Sequence, residues 1–285
     1  MPENELSLSL RAQAALQARG FHFTHSLGQN FILDDQVISD IVSAAGVNAG
    51  DNILEIGPGA GIMTAMMADR GANVLALELD HALEGVLQEI IGDRSAKVVF
   101  QDAMKADIDK ITDEAFGKNA PYAIVANLPY YITADFLMRA VTVNKKPESI
   151  TVMVQKEAAE RVMSRPGEKN WSALSATLRY FSTSELLMEA PRTLFTPPPH
   201  VDSALIRLNM HKSRPLSGDR EVKFLKMIQA AFRMRRKTLA NNLSSDMAVS
   251  RDEAVNAIES AGFDARIRGE ALTVEELLTV FENLF

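Results

Sequence analysis

Apolar residues along the first half of the chain fall into short runs that stop at glycine or at an acid. Residues 52–56 form one such run and end in a glycine cluster, and residues 73–79 form a second that ends around Glu78 and Asp80. Runs at 97–101, 122–128 and 149–154 follow; the first stops at Asp102 and the second closes on Asn127-Leu128-Pro129-Tyr130. Between them, 63–70, 81–91 and 134–143 repeat apolar residues three and four positions apart. Short continuous runs bounded by turn residues read as buried strands, and the longer spacing reads as one face of a helix. Strands alternating with helices predict a mostly parallel sheet covered on both faces.

Beyond Gln155 the pattern changes. Residues 156–163 and 171–179 read as helices. Extended runs near 185–189 and 203–208 flank a stiff loop, Phe195-Thr196-Pro197-Pro198-Pro199-His200. Strands joined this way predict an antiparallel hairpin at one sheet edge, which brings the sheet to seven strands. From about residue 220 only helices are expected, at 222–233, 236–243, 251–261 and 274–284. Ser213, Pro215, Ser217 and Gly218 dilute the pattern ahead of them and mark a boundary within 211–219. The expected fold is therefore α/β, a Rossmann-like seven-stranded sheet in residues 1–212, with a small all-helical domain in 213–285. No internal repeat or low-complexity tract interrupts it.

Composition narrows the chemistry. An apolar fraction of 47% over 285 residues is that of a soluble globular chain, long enough to bury a core without covalent staples. There is no cysteine, which excludes disulfides, thiolate metal ligands and a cysteine nucleophile. Residues 1–19 lack a signal-peptide apolar run, and no stretch of about 18 apolar residues occurs. A cytoplasmic location is expected. The net charge of -7 weighs against a nucleic-acid partner, whose affinity comes mainly from Lys and Arg neutralising phosphates. The distribution reverses that inference. Between residues 220 and 237 stand Arg220, Lys223, Lys226, Arg233, Arg235, Arg236 and Lys237 against one acid, Glu221. A dense basic segment in an acidic chain is the footprint of a phosphate-binding patch, or of a solvated helix face that pairs with acids.

Candidate site residues sit where the predicted strands end. Glu55-Ile56-Gly57-Pro58-Gly59-Ala60-Gly61 follows the first, and its glycines let a nucleotide approach the backbone and a helix start tightly behind the strand. Glu78, about 20 residues on, is placed to accept from ribose hydroxyls. A dinucleotide dehydrogenase uses the same two features, so they do not choose the cofactor. Asp102 follows the third run; it is suited to accept from an adenine amino group and equally to cap a helix.

The tetrad Asn127-Leu128-Pro129-Tyr130 is more specific. The exocyclic amine of adenine is a poor nucleophile because its lone pair is delocalised into the ring. Two acceptors on its N–H groups favour a pyramidal nitrogen and free that lone pair. The Asn127 side-chain oxygen supplies one acceptor, and the Leu128 carbonyl, restrained by the following Pro129, supplies the other. Tyr130 supplies a ring on which a flipped-out base can stack. Such a transfer needs neither a metal nor a covalent intermediate; positioning and electrostatics dominate it.

Taken in order, these motifs make the chain resemble the small-subunit ribosomal RNA adenine dimethyltransferases. Leu27-Gly28-Gln29-Asn30-Phe31 looks like that family's N-terminal motif. Glu55 to Gly61, Glu78-Leu79-Asp80, Gln101-Asp102-Ala103 and the tetrad follow. Next come Val154-Gln155-Lys156-Glu157 with Arg161, then Phe195 to Pro199 with Val201-Asp202-Ser203. Phe232 followed by Arg235-Arg236-Lys237-Thr238 closes the series.

The resemblance implies S-adenosylmethionine as cofactor, held by Asn30, Ile32, Gly57, Gly59, Glu78, Asp102 and Asn127 under a covering segment at 1–35. It implies catalysis at Asn127, Leu128, Pro129 and Tyr130, with Tyr130 and Phe195 on the target base; a core aromatic is the other role open to Phe195. The implied substrate is a pair of adjacent adenosines in the terminal hairpin loop of small-subunit rRNA, within the pre-30S subunit, each methylated twice on N6. Arg233, Arg235, Arg236 and Lys237 are the expected RNA-binding cations, and a monomer is expected. Thr24, His25 and Ser26 stand where lysines are common, Ile32 replaces Leu, His200 replaces Lys, and Asn170-Trp171-Ser172 departs from the usual Tyr-Gly. A large-subunit resistance methyltransferase shares the chemistry. A nicotinamide-dependent dehydrogenase accounts for the glycines but not the tetrad, and a non-enzymatic assembly factor shares the fold.

Overall fold

The computed structural model describes residues 6–24 and 27–285; the departures at His25 and Ser26 lie outside them. The chain divides into two compact units, Met1–Ala159 with Glu185–Met210, and Glu160–Ser184 with His211–Phe285.

The first unit opens with α1 (Leu8–Ala18), β1 (Phe31–Ile32) and α2 (Asp35–Ala44). Strand and helix then alternate through β2 (Asn52–Ile56), α3 (Ile62–Asp69), β3 (Asn73–Glu78), α4 (Glu84–Ile91), β4 (Ala96–Phe100), α5 (Ile108–Phe116), β5 (Ala123–Asn127), α6 (Thr133–Thr142) and β6 (Ser149–Gln155). Helix α7 (Lys156–Met163) and α8 (Ala173–Phe181) come next, followed by β7 (Ser182–Ala190), β8 (Phe195–Thr196) and β9 (Ser203–Met210). The seven-stranded sheet has the order β4-β3-β2-β5-β6-β9-β7. β4, β3, β2, β5 and β6 run parallel, and β9 pairs antiparallel with β6, Gln155 opposite Ser203. This is the expected Rossmann-like sheet.

Parallel strands covered on both faces tend to be apolar, and the interiors of the central β2 and β3 are so apart from the buried Glu55 of β2. Ile53, Leu54 and Ile56 of β2 and Val74, Leu75, Ala76 and Leu77 of β3 are all buried. The covering helices bury one stripe each: α4 buries Val86, Leu87, Ile90 and Ile91. Caps fix where they begin. Asp34 accepts from Val37 N ahead of α2, and Asp107 accepts from Lys110 N ahead of α5.

Some elements were not expected. Helix α5 buries only Ile108 and Thr112, so its apolar stripe is too thin to stand out. β1 and β8 form a separate two-stranded pair, Phe31 opposite Thr196 and Ile32 opposite Phe195.

The second unit holds α9 (Gly218–Arg233), α10 (Leu239–Asp246), α11 (Arg251–Ser260) and α12 (Val274–Leu284), and α8 packs among them. The expected helix at 236–243 is displaced to Leu239–Asp246 because the Thr238 side chain accepts from Asn241 N and caps it there. Residues 234–237 are therefore a turn. α8 likewise starts at Ala173 behind its cap Ser172, and Trp171 is fully buried, edge-on to Phe232 at 6.0 Å. That contact explains why segment 160–184, which the sequence alone joins to the preceding sheet, packs with the C-terminal helices. Among the described residues no helix is long and apolar enough to cross a membrane.

Candidate active site

Four parallel strands, β4, β3, β2 and β5, point their carboxyl ends the same way, so the residues just beyond each converge. They enclose a cavity of about 230 Å³ whose walls include Gly57, Glu78, Asp102, Asn127 and Tyr130. Leu27 to Phe31 forms a further wall. Ligands in open α/β sheets bind at this edge.

Glu78 ties the first two turns together. Its Oε1 accepts from Leu79 N and Asp80 N, both at 2.8 Å, and its Oε2 accepts from Gly59 N at 3.2 Å. Burial pushes its pKa above the usual carboxylate range, and those three backbone donors oppose the shift. Beneath it Glu55 is fully buried, with Thr64 Oγ1 donating at 2.6 Å and no partner at Oε1 among the described residues. Burial, reinforced by the nearby Glu78, raises Glu55 to about 8 against the Thr64 hydrogen bond. At neutral pH Glu55 is mostly protonated.

The glycines of the first turn have different duties. Gly57, Gly59 and Gly61 all have positive φ, at 70°, 55° and 80°. A Cβ on Gly59 would press the Phe31 ring at 3.0 Å, and one on Gly61 would press Leu87 at 3.0 Å. A Cβ on Gly57 would meet only the Asn127 carbonyl, at 3.7 Å. Gly57 thus leaves space beside the strand end, whereas Gly59 and Gly61 lie tight against neighbouring side chains.

The tetrad is oriented from two sides. Asn127 Nδ2 donates to the Asn30 carbonyl at 3.0 Å, and no donor among the described residues reaches its Oδ1. With its amine end committed, the amide keeps its oxygen free as an acceptor. No loop or side-chain donor among the described residues reaches the Leu128 carbonyl either, while the Leu128 side chain is buried. Tyr130 OH lies 2.8 Å from Ser203 Oγ, and burial raises its pKa, so it stays a neutral phenol.

The N-terminal wall is pinned in turn. Asn30 Nδ2 donates to Gly28 O at 3.1 Å, and Gln29 Nε2 donates to Asp80 Oδ2 at 2.7 Å while its Oε1 accepts from Thr24 N at 2.7 Å. Gly28 has φ +63°, and a Cβ there would meet Pro129 at 3.1 Å and Tyr131 at 3.3 Å. Asp102 accepts from Met104 N at 2.8 Å through Oδ1, with Lys105 Nζ 3.6 Å from Oδ2.

Asn30, Gly57, Gly59, Glu78, Asp102 and the whole tetrad line this cavity. Ile32 does not: it faces an adjoining hollow of about 50 Å³, shared with Gly57 and Asn127. Phe195 also stands apart, 3% exposed in the core opposite Ile32. The basic residues lie in the other unit. Arg233 ends α9 and pairs with Asp246 at 3.0 Å, and Arg235 pairs with Glu270 at 2.7 Å and donates to the Lys169 carbonyl. Arg236 and Lys237 are exposed on the turn.

Sequence reasoning passed over Tyr131 and Gln29. Tyr131 lines the cavity while 59% exposed, and its place directly after the tetrad was the available signal. Gln29 carried a signal only through the Leu27–Phe31 motif.

The sheet order and this edge cavity define a Rossmann-like fold with its site at the carboxyl ends of the parallel strands. Residues 20–284 match the ribosomal RNA adenine dimethylase family. A ribosomal RNA small subunit methyltransferase A of Geobacillus thermodenitrificans is 36% identical over 96% of this chain and 95% of its own. One of the same name from Ligilactobacillus salivarius is 39% identical over 98% and 96%. Among solved structures, a dimethyladenosine transferase from Plasmodium falciparum shares the fold, with TM-score 0.72 and 21% identity over 87% of this chain and 94% of that one. The 23S rRNA methyltransferase ErmE gives TM-score 0.68 and 27% identity over 90% and 99%. The chain belongs to the ribosomal RNA adenine dimethylase family. It is an rRNA methyltransferase, and its substrate is RNA.

Proposed function

We propose that this protein dimethylates the N6 amines of two adjacent adenosines in the 3′-terminal hairpin loop of small-subunit rRNA, using S-adenosylmethionine. The observation that carries this reading is the acceptor pair, Asn127 Oδ1 and the Leu128 carbonyl, held open at the cavity wall by the Asn127–Asn30 hydrogen bond. Small-subunit specificity follows the names of the relatives that match nearly full length.

The residues present fit the cofactor. Gly57 leaves room beside the strand end, Glu78 offers buried acceptors where ribose hydroxyls would lie, and Asp102 offers one for an adenine amine. Asn30 and Ile32 would close over the remaining end. When bound, S-adenosylmethionine supplies an electrophilic methyl on a sulfonium. The protein's own work is to place the amine. Asn127 and Leu128 accept its two N–H groups, Pro129 fixes the Leu128 carbonyl, and Tyr130 lies against the base face. Phe195 acts from the core by holding β8 against β1, so that it positions the base site without touching it.

In this account the sheet unit, Met1–Ala159 with Glu185–Met210, catalyses, and residues 213–285 of the helical unit bind rRNA. The exposed Arg236 and Lys237, with Arg233 and Arg235 beside them, neutralise phosphates of the pre-30S subunit. The protein works in the cytoplasm as a monomer.

Two measurements test the proposal. S-adenosylmethionine, and not NAD, should protect the protein against thermal unfolding. Nucleoside analysis of small-subunit rRNA after reaction should yield N6,N6-dimethyladenosine. A methylated ribose or cytosine would refute it.

A further inference from the structure

A second hollow opens beside the first, across the Tyr130–Ser203 contact. Ser203 is the register partner of Gln155 at the end of β6 and follows Asp202, so the contact links the first cavity's wall to residues beside the second space. Beyond it lies a space of about 440 Å³ bounded by Gln155, Lys156, Glu157, Arg192, His200, Val201 and Asp202.

Its frame is held in place. Arg192 N donates to Asp202 Oδ1 at 2.9 Å, Lys156 N donates to the Asp202 carbonyl at 3.0 Å, and Lys156 Nζ pairs with Glu189 at 3.0 Å. Arg192 Nη1 also reaches the His200 carbonyl at 3.4 Å. The groups facing the space are less committed. Gln155 is half-buried, and no hydrogen bond holds its side-chain amide among the described residues. Val201 leaves 45% of its surface exposed, and the His200 ring is exposed beside it. An amide without a partner among the described residues, an apolar side chain and an imidazole around one space are a set of groups for reading and stacking one base.

We propose that this hollow receives the adenine adjacent to the one being methylated. The Gln155 amide pairs with its N6 and N7 edge, as glutamine does with adenine elsewhere, and the ring lies on His200 and Val201. The inference rests on the proposed function, because only a substrate with adjacent adenosines puts an adenine on each side of the Tyr130–Ser203 contact. It gives the chain a means of selecting a pair of adenosines over a single one.

The test is a cycle on small subunits carrying both adenosines or having one replaced by uridine. For the unaltered protein, the replacement should lower kcat/KM at the remaining adenosine about tenfold. For Gln155→Ala, the same replacement should change it by less than about twofold. His200→Ala should reduce the penalty in the same direction. Equal penalties in all three proteins would overturn the inference while leaving the proposed function intact. Failure of the unaltered protein to methylate either adenosine of an unmodified subunit would overturn both.

Discussion

The two edges of the same sheet differ in a way that identifies the active one. At the amino edge a hollow of about 340 Å³ is lined by asparagines and an arginine, and it exceeds the roughly 230 Å³ of the carboxyl-edge cavity. Several of its donors are committed within the fold. Asn52 Nδ2 donates to the Pro121 carbonyl while its Oδ1 accepts from Asn73, Asn48 Nδ2 donates to the Gly46 carbonyl, and Arg207 Nη2 donates to the Ala44 carbonyl at 2.6 Å. At the carboxyl edge no donor among the described residues reaches Asn127 Oδ1, and no loop or side-chain donor reaches the Leu128 carbonyl, while two buried acids sit close together. Satisfied polar groups stabilise; unsatisfied ones held rigidly are ready for a ligand. Volume does not separate the edges; the Asn127 amide, oriented by the Asn30 carbonyl beside two buried acids, does.

If the comparison holds, the largest effect belongs to Asn127. Asn127→Ala removes one oriented acceptor and should lower methyl transfer by about 10³-fold, with thermal unfolding near that of the unaltered protein. A large loss of stability would mean that Asn127 resembles the amino-edge asparagines after all.

Glu55 comes next. Its pKa is raised from 4.5 to about 8 by folding, so between those values the native state holds a proton that the unfolded chain has released. Its contribution to stability is therefore complete below pH 4.5 and is lost as pH rises through about 8. Glu55→Gln cannot ionise. Relative to the unaltered protein it should gain on the order of 3 kcal/mol in denaturant unfolding between about pH 5 and pH 9. Parallel pH profiles for the two proteins would show that Glu55 is ionised in the fold.

Arg207 is the matching probe of the amino edge. Arg207→Ala breaks a charged hydrogen bond to the Ala44 carbonyl and should cost about 2 kcal/mol of stability. Its kcat at saturating substrate should be unchanged, because the catalytic edge is the other one. The smallest effect lies in the helical unit. Arg235→Glu with Arg236→Glu should weaken binding to small subunits about tenfold and flatten its dependence on salt. An unchanged salt slope would remove the phosphate-binding role.

Much of the active edge was legible in the sequence because each strand advertises its end. The run Asn52–Ile56 stops at Gly57, the run from Asn73 stops at Glu78, and the run from Ala123 stops at the tetrad. Convergence of those ends follows from parallel topology, which alternation alone predicts. Other features depend on contacts remote in sequence. Nothing local reveals that two-residue β1 and β8 pair, so the burial of Phe195 against Ile32 was not readable. The basic run looked helical because Arg and Lys are good helix formers, and the Thr238 cap decided otherwise. The roles of Gly59 and Gly61 as packing glycines depend on Phe31 and Leu87, which only the fold brings near.

The most direct test of the central claim supplies labelled S-adenosylmethionine with unmethylated small or large ribosomal subunits and maps the label by nucleotide. The account predicts N6,N6-dimethyladenosine at two adjacent positions in the terminal hairpin of small-subunit rRNA, and none on large subunits. Label on large-subunit rRNA instead, or on ribose or cytosine, would contradict it.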